Sequence, residues 1–354
     1  MFRIRFSTLW LIAALLAMLA VLVTLRGALL QAHLDETIHY VASDAATYYS
    51  LYEDLYEGSD LTESVGLFLV GSPILFMKLS EGHLFWIQLS NLALMGVTLW
   101  AALGCFATLR GRMLFLAGSL VFPYFVFGYL SLNKEVYAMC SAIFFACYMV
   151  RGQRTHLVAA IVLASCARYY MLLALVPLFF LVPRHRPPRY AWAFILLLAV
   201  SVLAPLTKSS VAGYSPEGLL EDSGALGKIF SDIVDSYGYA LLYPIKYIAL
   251  MPMKLYSVLL GAERAGDPME GVVSVVSIVA FVLGCRIVLT RRPVRPLVRK
   301  LVAAALIAPI PIMWTEIMAW RYYSFVYFFF LFAILLHGEG LHRRRGPRPA
   351  AVHA

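Results

Sequence analysis

STLWLIAALLAMLAVLVTL, residues 7–25, carries no charged side chain and is bracketed by Arg3 and Arg5 before it and Arg26 after it. A helix rises about 1.5 Å per residue and the hydrocarbon core of a bilayer is about 30 Å thick, so a run of this length can cross it. No A-x-A-type cleavage site follows, and the run is expected to remain as an uncleaved first helix.

The remainder of the chain repeats the pattern of apolar runs edged by arginine. With 62% hydrophobic and 14% charged residues and a mean hydropathy of +0.79, the composition excludes a soluble globule with a polar surface. The formal charge of +9 comes from arginine clusters flanking apolar runs, as the positive-inside rule expects, so it carries no signal for nucleic acid. Cys105, Cys140, Cys147, Cys166 and Cys285 all lie in apolar stretches without metal-ligand spacing and read as small core residues, with no disulfide framework.

Basic edges at Arg110 and Arg112, Arg151 and Arg154, Arg184 to Arg189, Arg291 to Lys300, and Arg343 to Arg348 divide the apolar runs. The spans expected between them cover 8–25, 84–108, 113–131, 136–150, 156–167, 170–183, 190–207, 271–290, 300–315 and 323–338. The fold class is therefore all-α: residues 1–354 as one multi-pass membrane domain of about ten transmembrane helices, with both termini cytoplasmic. The stretch from Arg154 to Arg184 accommodates a hairpin of two short helices, or else one long tilted helix with Arg184, Arg186 and Arg189 outside; charge bias favours the hairpin.

On this topology every acidic residue except Glu339 lies outside. Two outer segments are long enough to fold. The first, residues 26–82, carries amphipathic or re-entrant helices, with SDAATYYSLYEDLYEG at 43–58 placing Asp44 and Tyr48 on one helical face. The second, residues 208–270, includes YPIKYIALMPMKLYSVLLG at 243–261, which is broken by prolines and lysines and is expected to lie in the outer interface, where Lys246 and Lys254 meet headgroups.

Asp44 above an aromatic surface can serve as a general base toward a sugar hydroxyl, or it can simply cap its helix, since Ser43 and Asp44 are both N-cap types. His33, Asp35, Glu36 and His39 form an H-x-D-E-x-x-H cluster that admits a divalent cation, although the spacing is no established zinc signature and a solvated loop explains it as well. No other cofactor is expected: the chain holds no P-loop, no dinucleotide fingerprint and no serine nucleophile elbow.

A long acidic first outer loop with Asp44 followed by Tyr48 and Tyr49, then the proline-bearing GLFLVGSPILFMKL at 66–79, resembles the GT-C superfamily of membrane glycosyltransferases. SLNKEVYAM at 131–139 and WRYYSFVYFFF at 320–330 are similar to segments of bacterial polysaccharide polymerases of the Wzy type. The resemblance implies a polyprenyl-phosphate-linked sugar donor, a glycan or lipid acceptor, and a catalytic or acceptor-holding acid in the first outer loop. By position that acid is Asp44, with Asp35 and Glu36 as alternatives. It also implies a bacterial inner membrane and contact with polysaccharide export partners.

Phosphate-binding cations are expected at Arg168, Arg321 and Lys134. Arg168, beside Tyr169 and Tyr170, sits at membrane depth, where an ionisable residue marks a functional site unless it snorkels to headgroups. Arg321 repeats the pattern between Trp320 and Tyr322. Lys134 and Glu135 read either as a surface ion pair in a tight turn or as the place where a lipid-linked phosphate meets the protein. Sugar or acceptor contacts fall to Tyr48, Tyr49, Tyr169, Tyr170, Glu135, Trp320 and Tyr322. Two other classes stay open: a transporter or flippase, and a non-catalytic membrane subunit of an envelope polysaccharide assembly system.

Overall fold

The structure is a computed structural model that describes residues 6–34, 68–130, 134–167, 268–290, 294–310 and 324–345, together with isolated positions between these stretches. Regular structure among the described residues is helical, with no strand. In chain order the helices are α1 (Phe6–Leu34), α2 (Phe68–Leu79), α3 (Leu84–Leu103), α4 (Leu109–Val121), α5 (Pro123–Val126), α6 (Glu135–Arg151), α7 (Arg154–Ala167), α8 (Pro268–Leu289), α9 (Pro296–Ile307) and α10 (Val326–Arg345), with a 3₁₀ turn at Gly128–Leu130.

Three helices are long and apolar enough to cross a membrane, over Phe6–Ala28, Leu84–Leu103 and Gly271–Leu289. The pair α4 and α5 with its 3₁₀ turn makes a fourth candidate, bent by 84°. The sequence predicts one continuous span over 113–131; instead the chain breaks at Phe122, because Pro123 has no N–H to continue α4 and its fixed φ suits the first position of a new helix. α3 likewise stops at Leu103 rather than 108, and Thr108 opens α4 by accepting from the Gly111 amide at 3.0 Å. α1 continues past Arg26 to Leu34, and α2 runs through Pro73.

The arrangement is inside out relative to a soluble protein. Trp10, Leu16 and Val23 on α1, Trp86, Val97 and Trp100 on α3, Val158, Ile161 and Val162 on α7, and Val272, Val275, Val279 and Val282 on α8 are exposed. The α8 set recurs at three- and four-residue steps and makes one apolar stripe. Gln88, Asn91, Thr98, Ser119 and Ser141 are buried. Apolar faces outward and hydrogen-bonded polar groups inward suit lipid as the solvent.

α10 is the central helix, packed against α4, α6, α8 and α9. Its residues Val326 to Ala333 are all buried, as is Phe325 just before it, which accounts for a sequence apolar on every face. Phe106, Phe115 and Phe332 interlock with centroids 5.1–5.3 Å apart, and Tyr327 stacks on Phe122 at 4.4 Å. Gly284 lets α8 approach closely, since a Cβ there would collide with the Phe330 ring. Gly284→Leu is expected to overpack this contact by about 1–3 kcal/mol, read as a lower Tm of the detergent-purified protein.

α6 and α7 form a hairpin turned by Gly152, whose φ of 70° is left-handed and whose N–H donates to the Tyr148 carbonyl at 2.7 Å. Small residues, Ala142, Ala146, Ala160 and Ala164, are fully buried along the hairpin, and the Ser141 hydroxyl donates to the Ala160 carbonyl at 2.7 Å.

The contacts between helix ends sort the charges. At one end of the bundle, Arg151 lies against Gly104, Arg295 against Gly340, and Glu339 against the start of α4. At the other, Arg26 lies over the Phe85 ring at 5.9 Å, Tyr52 rests on Gly82, and Lys134 faces Tyr48. α6 runs from Glu135 at the second end to Arg151 at the first, and α3 runs parallel to it. We call the first the basic end, after Arg151 and Arg295, and the second the acidic end, after Glu81 and Glu135, which lie there beside the cations Arg26 and Lys134. Lys300, counted from sequence in a basic edge, is buried within α9, which starts earlier than expected because Pro296 occupies its first position.

Candidate functional site

At the acidic end the chain between α2 and α3 makes a tight Schellman turn: the Gly82 N–H donates to the Met77 carbonyl at 2.8 Å and the Glu81 N–H to the Lys78 carbonyl at 3.3 Å. Both Glu81 and Gly82 have positive φ, 53° and 76°. Glu81 occupies a left-handed position usually given to glycine or asparagine, so the turn holds local strain. Gly82 is needed for space as well, because a Cβ would meet the Tyr52 ring at 3.3 Å.

This turn supports a small apolar cluster of Tyr48, Ile74, Met77, Leu84, Ile87 and Leu132, separate from the main core, with Tyr52 packed against it. Tyr48 and Tyr52, four residues apart in the chain, both contribute to this cluster. Tyr48 is only 9% exposed, so its ring is committed to the cluster and to the Lys134 ammonium, whose Nζ stands 5.3 Å from the ring centroid.

Lys134 is 5% exposed, and the Glu135 carboxylate oxygens are shielded from solvent. Both residues sit at the head of α6, behind the Tyr48 cluster, so their setting is buried rather than a surface turn. A framework of buried hydrogen bonds fixes that head. Gln88 Nε2 donates to the Leu130 carbonyl at 2.8 Å, Tyr137 Oη donates to Asn91 Oδ1 at 2.8 Å, and Phe76 packs on Tyr137 at 5.5 Å. Tyr137→Phe is expected to cost about 1 kcal/mol, seen as a modest drop in Tm, because Asn91 loses a donor in a buried setting.

Gln88 and Asn91 were not singled out from sequence. Their signal is legible in retrospect: two amides three residues apart in an otherwise apolar span must face the bundle interior. Asp35, Glu36, Asp44, Tyr49, Arg168, Tyr169, Tyr170, Trp320, Arg321 and Tyr322 lie outside the described residues, as do Lys246 and Lys254. Among the described residues no group of three or more His, Cys, Asp or Glu side chains is disposed to hold a metal ion; of the H-x-D-E-x-x-H cluster only His33 is described, in the last turn of α1.

The acidic end thus presents a cation at low dielectric, screened by a tyrosine ring, on a rigid helix head. An ammonium in such a setting attracts an anionic group more strongly than one in water.

No family model, curated protein or solved structure matches this chain.

The polar interior extends toward the basic end. Thr98 Oγ1 bonds the Leu94 carbonyl at 2.7 Å, and Ser119 Oγ bonds the Phe115 carbonyl at 2.9 Å. Tyr129 Oη donates to the Met18 carbonyl at 3.1 Å and ties α1 to the 3₁₀ turn. Lys134 at the acidic end, Lys300 on α9 and Glu339 on α10 are the charged side chains buried among the described residues.

Proposed function

We propose that the chain is a GT-C-like membrane glycosyltransferase, of polysaccharide polymerase type, in the bacterial cytoplasmic membrane. About ten spans place both termini in the cytoplasm and the acidic end outside. The observation that carries this reading is Lys134: a cation buried beside Tyr48 at the acidic end, on the segment that resembles the polymerases.

In this account a polyprenyl-linked glycan binds with its phosphate near Lys134, joined by Arg168 and Arg321. Asp44 takes the proton from an acceptor hydroxyl, and the oxygen attacks the anomeric carbon with inversion. The bond from that carbon to the lipid phosphate breaks, and the cations stabilise the negative charge that leaves. Tyr48 orients Lys134, and Tyr49, Tyr169, Tyr170, Trp320 and Tyr322 are the sugar-stacking surfaces. Asp35 and Glu36 stand as alternative acids.

The test is Asp44→Asn in cells, with membrane abundance matched to the unmodified chain. The expected result is a roughly 10²–10⁴-fold loss of glycan product with accumulation of the lipid-linked precursor. Normal product at equal abundance removes Asp44 as the base.

A second reading, transport of a lipid-linked glycan, is favoured by one specific feature: the span broken by 84° at Phe122, next to a buried polar interior of Gln88, Asn91, Thr98 and Ser119. It predicts movement of the glycan across the membrane with no new glycosidic bond.

A further inference from the structure

We propose that the turn between α3 and α4 is a binding site for an anionic phospholipid of the leaflet at the basic end, with Arg151 and Arg112 as the ligands of its phosphate. Residues 104–108 gather guanidiniums from two different helices. Arg151 closes α6 and lies against Gly104, where a Cβ would stand 2.9 Å from its Nη1 and 3.5 Å from its Cζ. Arg112, in the first turn of α4, folds back so that its Nε donates to the Phe106 carbonyl at 3.0 Å. Gly104 and Phe106 are two residues apart, so their Cα atoms lie within about 7 Å and both cationic heads are delivered to one short turn. The buried Phe106 anchors that turn against Phe115 and Phe332, with ring centroids 5.2 and 5.3 Å away.

The two guanidiniums are held in place without being neutralised. Arg151 is exposed and Arg112 half-buried, and among the described residues neither makes an ion pair. The Glu339 carboxylate beside the turn is 8% exposed and accepts from the Ala107 and Thr108 N–H groups and the Thr108 hydroxyl, so it is spent on the start of α4. The backbone of the turn is occupied as well: the N–H groups of Gly104, Cys105 and Phe106 donate to the carbonyls of Ala101, Ala102 and Leu103. Recognition of an anion therefore falls to the side chains. With Nε of Arg112 committed, its two terminal nitrogens and the Arg151 fork remain, and such paired N–H donors match the oxygens of a phosphodiester. Two guanidiniums against one carboxylate leave a local positive charge, which favours a headgroup of net negative charge over a zwitterionic one.

The apolar surface beside the turn points to a lipid rather than a soluble phosphate. Trp100 is four residues before Gly104, which keeps helical dihedrals at φ −66° and ψ −15°, so the two share one face of α3. Trp100 is 64% exposed, and Leu109, on the far side of the turn, is 49% exposed. An indole about 6 Å along the helix from the guanidinium is placed for the glycerol and upper acyl region of a lipid whose phosphate rests on the arginines. The site rests on the bilayer placement of the helices and is independent of the proposed transfer reaction.

The experiment follows thermal unfolding of the detergent-purified full chain with added dioleoylphosphatidylglycerol, dioleoylphosphatidylcholine or inorganic phosphate, and reads retained lipid by native mass spectrometry. The expected result is a rise in unfolding temperature of several degrees and retained lipid with phosphatidylglycerol, and neither with phosphatidylcholine or inorganic phosphate. Arg151→Gln and Arg112→Gln are each expected to weaken phosphatidylglycerol binding roughly ten- to hundredfold. Arg151→Lys keeps the charge without the fork and should fall between. Arg286→Gln removes an exposed cation from the last turn of α8, outside the turn, and should bind as the unmodified chain does. Equal binding of phosphatidylcholine, equal protection by inorganic phosphate, or full phosphatidylglycerol binding when Arg151→Gln and Arg112→Gln are combined would overturn the proposal. An equal loss in Arg286→Gln would overturn it too, because the effect would then be one of diffuse positive charge.

Discussion

Glu339→Ala is expected to lower the stability of the bundle by about 2–4 kcal/mol, measured as the shift in thermal unfolding of the detergent-purified protein. Glu339 is 8% exposed on α10. Its carboxylate accepts from the Thr108 N–H at 2.9 Å, the Thr108 hydroxyl at 2.6 Å and the Ala107 N–H at 3.3 Å. These donors open α4, where the helix dipole also favours a negative charge. Gly111 leaves room for the carboxylate, because a Cβ there would collide with Glu339 Oε1. Truncation strands two backbone donors and a hydroxyl at once, and the loss exceeds that of one ordinary hydrogen bond. Glu339→Gln keeps one acceptor oxygen without the charge and should fall between the two. An unchanged unfolding temperature in Glu339→Ala would mean that water replaces the carboxylate at no cost, and that α10 and α4 are held by their aromatic contacts and the Tyr327–Gly118 hydrogen bond.

Lys134→Met is expected to leave the protein folded and to reduce transfer roughly 10²–10³-fold, the scale seen when one group aimed at developing charge is removed. Methionine keeps an unbranched stem of similar length against Tyr48 and removes the ammonium. Replacing a whole buried ion pair by apolar side chains is often neutral for stability, whereas removing one partner strands the other, so unfolding temperature is measured beside turnover. A purely structural Lys134 would therefore show its effect in unfolding temperature, whereas a phosphate-binding one shows it in turnover at an unchanged fold. Lys134→Arg retains the charge, but its larger planar head fits a compact site poorly, and it should recover part of the activity. The assay is turnover of a polyprenyl-linked glycan by equal amounts of folded variant and unmodified protein. Full activity in Lys134→Met would remove the cation from the mechanism.

Local signals made much of the helical framework legible. The run from Ser7 to Leu25 marks α1, and the run after Gly271 marks α8, because a segment this apolar must satisfy its backbone groups internally in lipid, as a helix does. The break at Phe122 was written in Pro123, but the apolar composition on both sides disguised it as one span. The last span was expected over 323–338, with Glu339 just beyond it as the one acid on the inner side. The helix instead continues to Arg345, and the exception has a cause: Glu339 meets donors more than two hundred positions earlier in the chain, at α4. Lys300 misled in the same way, as a cation in a basic run reads as an edge until the helix around it is seen to begin at Pro296.

The site was legible in residue type and not in burial. Lys134 and Glu135 stand out from sequence as charges between apolar runs, but a short loop suggests a surface. What buries them is non-local: the Schellman turn at Glu81–Gly82 brings α2 and α3 together, and Tyr48 reaches the resulting cluster from a separate segment. Tyr48 was expected to meet sugar, and its low exposure and its contact with Lys134 make it a support for the cation in the proposed mechanism.

The most direct test of the central claim is bond formation by the purified chain in proteoliposomes supplied with a polyprenyl-linked oligosaccharide at the acidic face. The account predicts longer, newly linked glycans and released lipid phosphate, both dependent on Lys134. Oligosaccharide that crosses the membrane, or stays in place, with no new glycosidic bond would contradict it.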